Sequence, residues 1–342
     1  MRLEAPFWWY RRKGALASAL IPVARVYEQI AAAKAAGVAA YRSRLPVICI
    51  GNFTAGGGGK TPTAMAIAAV LKDLGERPAF LSRGYGGRQP GPHLVSEEDS
   101  ALEVGDEPLL LARHAPTVVA RDRALGARKV EAEGMSVIIM DDGFQNPGLA
   151  KDLSLIVVDA GLGLGNGLVI PAGPLRAPLP RQLERADALL VIGDGGKADA
   201  LANAFSDRGK PVLKASITPL GDPRWLGVLP VIGFAGIARP EKFYATLGQN
   251  GARLTATRSF PDHHRFSERE AASLLKAARA QNAMLVTTEK DWARLPEDRD
   301  TALGELKFRS RPLPIAIRIA DKEDQARLTT LLVSALAKRR QG

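Results

Sequence analysis

The run Ile48-Cys49-Ile50-Gly51-Asn52-Phe53-Thr54-Ala55-Gly56-Gly57-Gly58-Gly59-Lys60-Thr61-Pro62 constrains the fold more than any other stretch of this chain. An apolar strand feeds a glycine-rich turn, and the turn ends on Lys-Thr where the pattern becomes helical. Small residues let successive backbone N–H groups wrap phosphate oxygens, and the helix start adds its partial positive charge. In that arrangement Thr54, Ala55, Gly56, Gly57, Gly58 and Gly59 line the phosphates, and Lys60 reaches the β- and γ-phosphates. Thr61 would offer its hydroxyl to Mg2+. Pro62 is tolerated in the first helical turn, where its missing N–H has no partner to lose. The pattern G-x-x-x-x-G-K-[ST] would put glycine at position 54, where this chain has Thr54. A glycine-rich turn without a ligand is the alternative reading of these residues.

Short apolar runs alternate with helical stretches along the rest of the chain, the signature of parallel α/β architecture. Strands are predicted near 46–50, 79–82, 117–120, 137–141, 153–159, 188–192 and 212–217, with helices near 61–74, 106–112, 123–133 and 180–185. A second series follows Pro219-Leu220-Gly221-Asp222-Pro223, with strands near 228–235, 254–259, 284–287 and 314–319 and helices near 240–248, 267–281 and 322–337. Gly161 to Pro180 is too rich in glycine and proline for an element and reads as a long loop, a kind of segment often used functionally. The fold class is therefore α/β and P-loop NTPase-like: a mostly parallel sheet flanked by helices, a second smaller α/β domain, and an N-terminal amphipathic helix. The expected division is 1–44, 45–224 and 225–342, with the last helix free to pack back on the first domain.

The chain has 342 residues and a net charge of +11, and residues 1–44 hold eight basic residues against two acidic ones. Its single cysteine lies in an apolar run, which excludes a disulfide framework and points to a reducing compartment. The longest uncharged N-terminal stretch, Gly14 to Ala24, is shorter than the roughly 20 residues a membrane span needs. Phe7-Trp8-Trp9-Tyr10 precedes Arg11-Arg12-Lys13, and Leu16, Leu20, Val23, Tyr27 and Ile30 fall on one helical stripe. Such a stripe either packs on the protein's own core or lies in a lipid headgroup layer. No nucleic-acid motif accompanies the basic charge.

Val137-Ile138-Ile139-Met140-Asp141-Asp142 ends an apolar run on two carboxylates, one or both of which would hold Mg2+. Gly105-Asp106-Glu107-Pro108 opens a helix, where an acid can be a simple cap. Ser82-Arg83-Gly84-Tyr85-Gly86-Gly87 makes a second place for backbone to approach a ligand. Phe260-Pro261-Asp262-His263-His264 lies in the second series, and the four histidines show no metal-ligand spacing.

Taken with Asp141-Asp142-Gly143-Phe144-Gln145, Gly165-Asn166-Gly167, Pro171-Ala172-Gly173-Pro174-Leu175-Arg176 and Thr288-Glu289-Lys290-Asp291, these blocks resemble the tetraacyldisaccharide 4'-kinases. These are the lipid A 4'-kinases of bacterial outer-membrane biosynthesis. The blocks span about 45–295 in the family's order, and Thr54 matches the family's own phosphate loop. Asn146 and Ala177 depart from it, where His and Glu are usual. The resemblance implies transfer of the γ-phosphate of ATP, with Mg2+, to the 4'-hydroxyl of tetraacyldisaccharide 1-phosphate, giving lipid IVA. It also implies a membrane-associating N-terminus at the cytoplasmic face of the inner membrane. By resemblance Asp106 is the base and His263 assists it. Lys60 and Arg176 act on the phosphates, and Arg121, Tyr85 and Gln145 are candidates for charge stabilisation or substrate contact. A membrane-associated regulatory GTPase or nucleotide-binding module is the alternative. Its guanine-reading Asn/Thr-Lys-x-Asp would fall at Thr288–Asp291, where Glu289 replaces the lysine.

Overall fold

The computed structural model describes residues 6–36, 40–56 and 58–340. Gly57 of the phosphate loop, Arg2 and Glu4 of the N-terminal charges, and the side chain of Lys34 lie outside the described residues. The chain enters through a 3-10 turn at Phe7–Tyr10 and two helices, α1 (Ala15–Ala19) and α2 (Ile21–Ala36). The first αβ series is β1 (Val47–Gly51), α3 (Lys60–Asp73), β2 (Pro78–Ser82), β3 (His93–Leu94), α4 (Asp106–Ala112), β4 (Thr117–Val119), α5 (Arg123–Ala132) and β5 (Val137–Asp141). It continues through β6 (Leu153–Asp159), α6 (Leu179–Arg185), β7 (Ala188–Ile192), α7 (Asp199–Ser206) and β8 (Val212–Pro219). The second holds β9 (Pro230–Ala235), α8 (Pro240–Gln249), β10 (Arg253–Ser259), α9 (Glu268–Gln281), β11 (Met284–Thr288), α10 (Glu289–Arg294), α11 (Ala302–Arg309) and β12 (Ser310–Leu313). The chain closes with β13 (Ile315–Ile319) and α12 (Lys322–Arg340).

Among the described residues, one sheet has the order β13-β8-β7-β6-β1-β5-β2-β4-β3 and the other β10-β9-β11-β12. The large sheet is parallel except at its edges, β3 and β13. Strands β1 and β5 read as continuous apolar runs because both faces are covered. Ile48, Ile50 and Ile139 face α3, α4 and α12, while Val47, Cys49, Ile138 and Met140 face α5, α6 and α7. In the small sheet Ile232 and Phe234 face α9 and α11, and Val231 and Ala235 face α8.

One predicted strand changes sheets. The segment expected at 314–319 in the second series is β13, antiparallel to β8 with Ile317 opposite Ile217. Pro314 has no N–H to carry on from β12. Beyond it the chain returns to the large sheet, where Ile317 buries beside Leu328 and Leu332 of α12. Helix α12 accordingly contacts β1, β6, β8 and β13. The short elements β3, α7, α10, α11 and β12 carry too few apolar repeats to stand out in the sequence.

The N-terminal stripe behaves differently from a core helix. Leu16, Val23, Tyr27 and Ile30 are 47%, 54%, 39% and 52% exposed. Ala17 and Ala24 are buried, and Leu20 is partly buried against the same layer. The small alanines let the backbone lie close to the domain, so the large apolar side chains turn outward. Packing of the whole stripe on the protein's own core is thereby excluded for these residues. Among the described residues no helix is long and apolar enough to cross a membrane.

Candidate active site

In an open parallel sheet, ligands sit beyond the carboxyl ends of the strands. The phosphate loop leaves β1 there, Asp141 ends β5, Tyr85 follows β2 and Arg121 follows β4. Gly59 precedes α3 with φ of +82°, and a side chain there would start 2.7 Å from Ile192 Cδ1, so the turn needs glycine on both counts. Thr61 Oγ1 donates to Asp141 Oδ2 at 3.1 Å. The other oxygen, Asp141 Oδ1, is buried with no hydrogen-bond partner among the described residues. Burial and the charge of Glu107 push the Asp141 carboxyl up to about 7, against the pull of Lys60. Asp142 behaves in the opposite way: burial would raise it, but Lys60 and Arg176 hold it below the ordinary carboxylate range.

Lys60 Nζ donates to the Gly56 carbonyl at 3.4 Å and lies 3.9 Å from Asp142. Arg176 makes a two-pronged pair with Asp142 at 2.9 and 3.1 Å, and its Nε donates to the Thr54 carbonyl at 3.1 Å. The loop 161–180 is thereby fastened to the phosphate loop, with Ala55 N–H donating to the Pro174 carbonyl at 2.8 Å. Gln145 donates to the Asn52 carbonyl at 2.9 Å and accepts from Arg176 at 3.3 Å. It braces the loop from below.

Asp106 is not a cap. Gly105 precedes α4 without any side-chain capping bond, and the carboxylate of Asp106 turns instead to the second series. Asp106 Oδ2 faces His263 Nδ1 at 3.1 Å, although 157 residues separate them, and accepts from Arg294 Nε at 2.9 Å and from Arg294 Nη2. Burial would raise this carboxyl, but the His263 hydrogen bond and the charges of Arg294 and Lys290 outweigh it and hold the group far below the ordinary range. Its neighbour Glu107 pairs with Lys290 at 2.5 Å. The Lys290 ammonium, which burial would lower, is held above its usual value by Glu107 and Asp106. The charge of Glu107 also reaches Lys60 and Asp141, which ties this clasp to the phosphate loop.

Thr288-Glu289-Lys290-Asp291, the place of a guanine-reading motif in the alternative reading, instead carries part of this clasp, together with Arg294, which no motif in the sequence marks. Thr288 caps α10, and Asp291, fully buried, accepts from Gly236 N–H at 3.0 Å and from Thr288 Oγ1 at 2.6 Å. An aspartate spent in this way has nothing left with which to read a guanine. The one signal for Arg294 in the sequence is its place six residues after Thr288, on the same short helix.

Tyr85 lies beside His263, with ring centroids 5.6 Å apart. Arg121 Nη2 donates to the Arg88 carbonyl at 3.4 Å, and among the described residues no contact brings it to the phosphate loop. Of the two family departures, Asn146 acts through its side chain, whereas Ala177 offers only backbone. Asn146 Oδ1 accepts from Gly148 N–H at 2.9 Å, and the Ala177 carbonyl accepts from Gln182 at 2.8 Å.

Residues 16–336 match the family described as tetraacyldisaccharide-1-P 4'-kinase. This chain belongs to that family. A tetraacyldisaccharide 4'-kinase of Rhodopseudomonas palustris (strain BisB5) is 46% identical over 338 residues, covering 98% of this chain and 97% of the relative. One of Methylobacterium radiotolerans is 54% identical over 291 residues, covering 85% and 88%. The crystal structure of Aquifex aeolicus LpxK in complex with ATP is similar with a TM-score of 0.68 at 26% identity, covering 94% of this chain and 99% of that one.

Proposed function

We propose that this member of the tetraacyldisaccharide 4'-kinase family transfers the γ-phosphate of ATP to the 4'-hydroxyl of tetraacyldisaccharide 1-phosphate. The observation that carries the reading is the Asp106–His263 contact at 3.1 Å, which joins the two αβ series within electrostatic reach of the phosphate loop. A loose phosphoryl transition state asks for positioning and charge neutralisation more than covalent chemistry. The loop amides and Lys60 would hold the triphosphate. Arg176, now paired with Asp142, is within reach of the same loop.

Thr61 and Asp141 fit a hard divalent cation, because Asp141 keeps a buried carboxylate oxygen with no partner among the described residues, next to the Thr61 hydroxyl. When bound there with Asp142 nearby, Mg2+ would neutralise charge on the phosphates. Asp106 would accept the proton of the sugar hydroxyl, with His263 holding it, and Tyr85 beside His263 would meet the sugar. Residues 45–224 then form the nucleotide-handling unit and residues from 225 the smaller unit, from which β13 and α12 return to the large sheet.

The lipid acceptor belongs at a membrane surface, and the outward-facing Leu16, Val23, Tyr27 and Ile30 support docking into the cytoplasmic leaflet of the inner membrane. Trp9 Nε1 donates to the Pro171 carbonyl at 3.0 Å, so this segment is fastened to the loop that also grips the phosphate loop. Transfer of labelled γ-phosphate from ATP to tetraacyldisaccharide 1-phosphate in detergent micelles tests the reading. A Lys60-dependent bisphosphorylated product is expected, and its absence from protein that binds Mg-ATP would overturn it. For the membrane reading, sedimentation with anionic vesicles should be lost when residues 2–40 are deleted.

A further inference from the structure

We propose that Arg294 is a positioning residue for proton transfer: with His263 it occupies one carboxylate oxygen of Asp106 and leaves the other oxygen to take the acceptor's proton. The inference rests on the reading of Asp106 as the base. Three nitrogens converge on Asp106 Oδ2: Arg294 Nε at 2.9 Å, Arg294 Nη2, and His263 Nδ1 at 3.1 Å. Among the described residues none reaches Oδ1. A carboxylate gripped in this way has one spent oxygen and one with its lone pairs available.

Arg294 is itself held so that it cannot drift. Its Nη1 donates to the Gly236 carbonyl at 2.9 Å and to Asp291 Oδ1 at 2.6 Å. Asp291 is fixed in turn by Gly236 N–H and Thr288. The guanidinium, 7% exposed, therefore has one edge fastened to the small sheet and its other edge presented to α4 of the large one. A planar fork suits this task, because a lysine could supply the charge but not the paired N–H geometry.

The fork also fixes the histidine. Arg294 Nη2 lies 3.3 Å from His263 Nδ1, and both groups face Asp106 Oδ2. Nδ1 cannot accept from Arg294 and donate to Asp106 at once. With the carboxylate as the shared acceptor, Nδ1 carries the proton and donates it, which leaves the imidazole oriented by Asp106.

The groups facing Asp106 are Arg294, Lys290 and His263 as donors or cations and Glu107 and Asp291 as anions. Removing the guanidinium removes a positive charge, so the carboxyl titrates at higher pH. Arg294→Met is therefore expected to lower kcat by about 10–100-fold, as for a misplaced catalytic group. KM for ATP should stay within about twofold, and the acid limb of the kcat profile should move to higher pH. Arg294→Lys should return the acid limb toward its wild-type position while recovering kcat only in part.

The double variant Asp106→Asn/Arg294→Met should be no slower than Asp106→Asn alone, since Arg294 acts through Asp106. A purely structural arginine would raise KM for ATP as it lowers kcat, and its loss would add to that of Asp106→Asn. Either result overturns the proposal, as does wild-type kcat in folded Arg294→Met. Wild-type turnover in Asp106→Asn would instead remove the base reading, and this proposal with it.

Discussion

The phosphate loop and the Asp106 clasp are built in opposite ways. The loop is one contiguous run, residues 51–61, braced by Asp141 and Arg176, and its chemistry is carried by backbone and by residues adjacent in the chain. The clasp is assembled from α4 and from residues more than 150 positions later, and its contacts to Asp106 and Glu107 come from α10 and the loop after β10, both in the second series. A loop of the first kind is formed as soon as its own sheet folds. The clasp exists only when the two sheets dock. Substitutions should therefore separate nucleotide binding from turnover.

The largest effect is expected at the loop. Lys60→Ala should lower kcat/KM by on the order of 10^3-fold or more in the phosphate-transfer assay, because it removes the charge proposed to meet the transferred group. A loss of only a few-fold would move the phosphate site elsewhere. At the clasp, Asp106→Asn should lower kcat by about 10^2-fold or more while leaving the thermal shift produced by Mg-ATP intact. An equal loss of nucleotide-induced stabilisation would erase the distinction between the two regions.

Breaking the neighbouring pair with Lys290→Met should cost about 1–3 kcal/mol, read as a lower Tm, since it leaves Glu107 without its partner in a half-buried position. A smaller but signed effect comes from Asp141. An acid raised to about 7 stabilises the nucleotide-free fold in its protonated form, and that contribution fades as pH rises through about 7. Mg-ATP held as proposed would require the ionised form, so its affinity should rise by a few-fold from about pH 6 to about pH 8, with proton release seen by calorimetry. Asp141→Asn should flatten that dependence. The least effect on stability is expected from Val26→Ser with Ile30→Ser, within about 0.5 kcal/mol because both side chains are exposed. The same pair should weaken vesicle binding, and unchanged binding would detach α2 from the membrane reading.

Much of the fold is legible along the chain because its central strands are buried on both faces and so appear as unbroken apolar runs. β1, β5, β6 and β7 lie within a residue of their predicted bounds for that reason. β13 is misassigned because an edge strand of five residues matches either sheet equally well until α12 shows which face needs covering. At the site, Lys60, Thr61 and Asp141 come together as their spacing implies. From its local residues Asp106 is legible only as an acid at a helix start, for which capping is the ordinary use, and its reading as a base comes from the family resemblance alone.

The sequence by itself determined the phosphate loop, the α/β architecture and, through its ordered blocks, the family. Those features rest on residues that are neighbours in the chain or on patterns of fixed period. Only the tertiary structure decided that most of the apolar stripe of α1 and α2 faces outward, that Asp291 serves Arg294 rather than a base, and that Arg294 and Lys290 join His263 at α4. The physical reason is that charge complementarity across a docked interface has no period and no fixed spacing. It is set by where two sheets meet, and no local run of residues encodes that meeting.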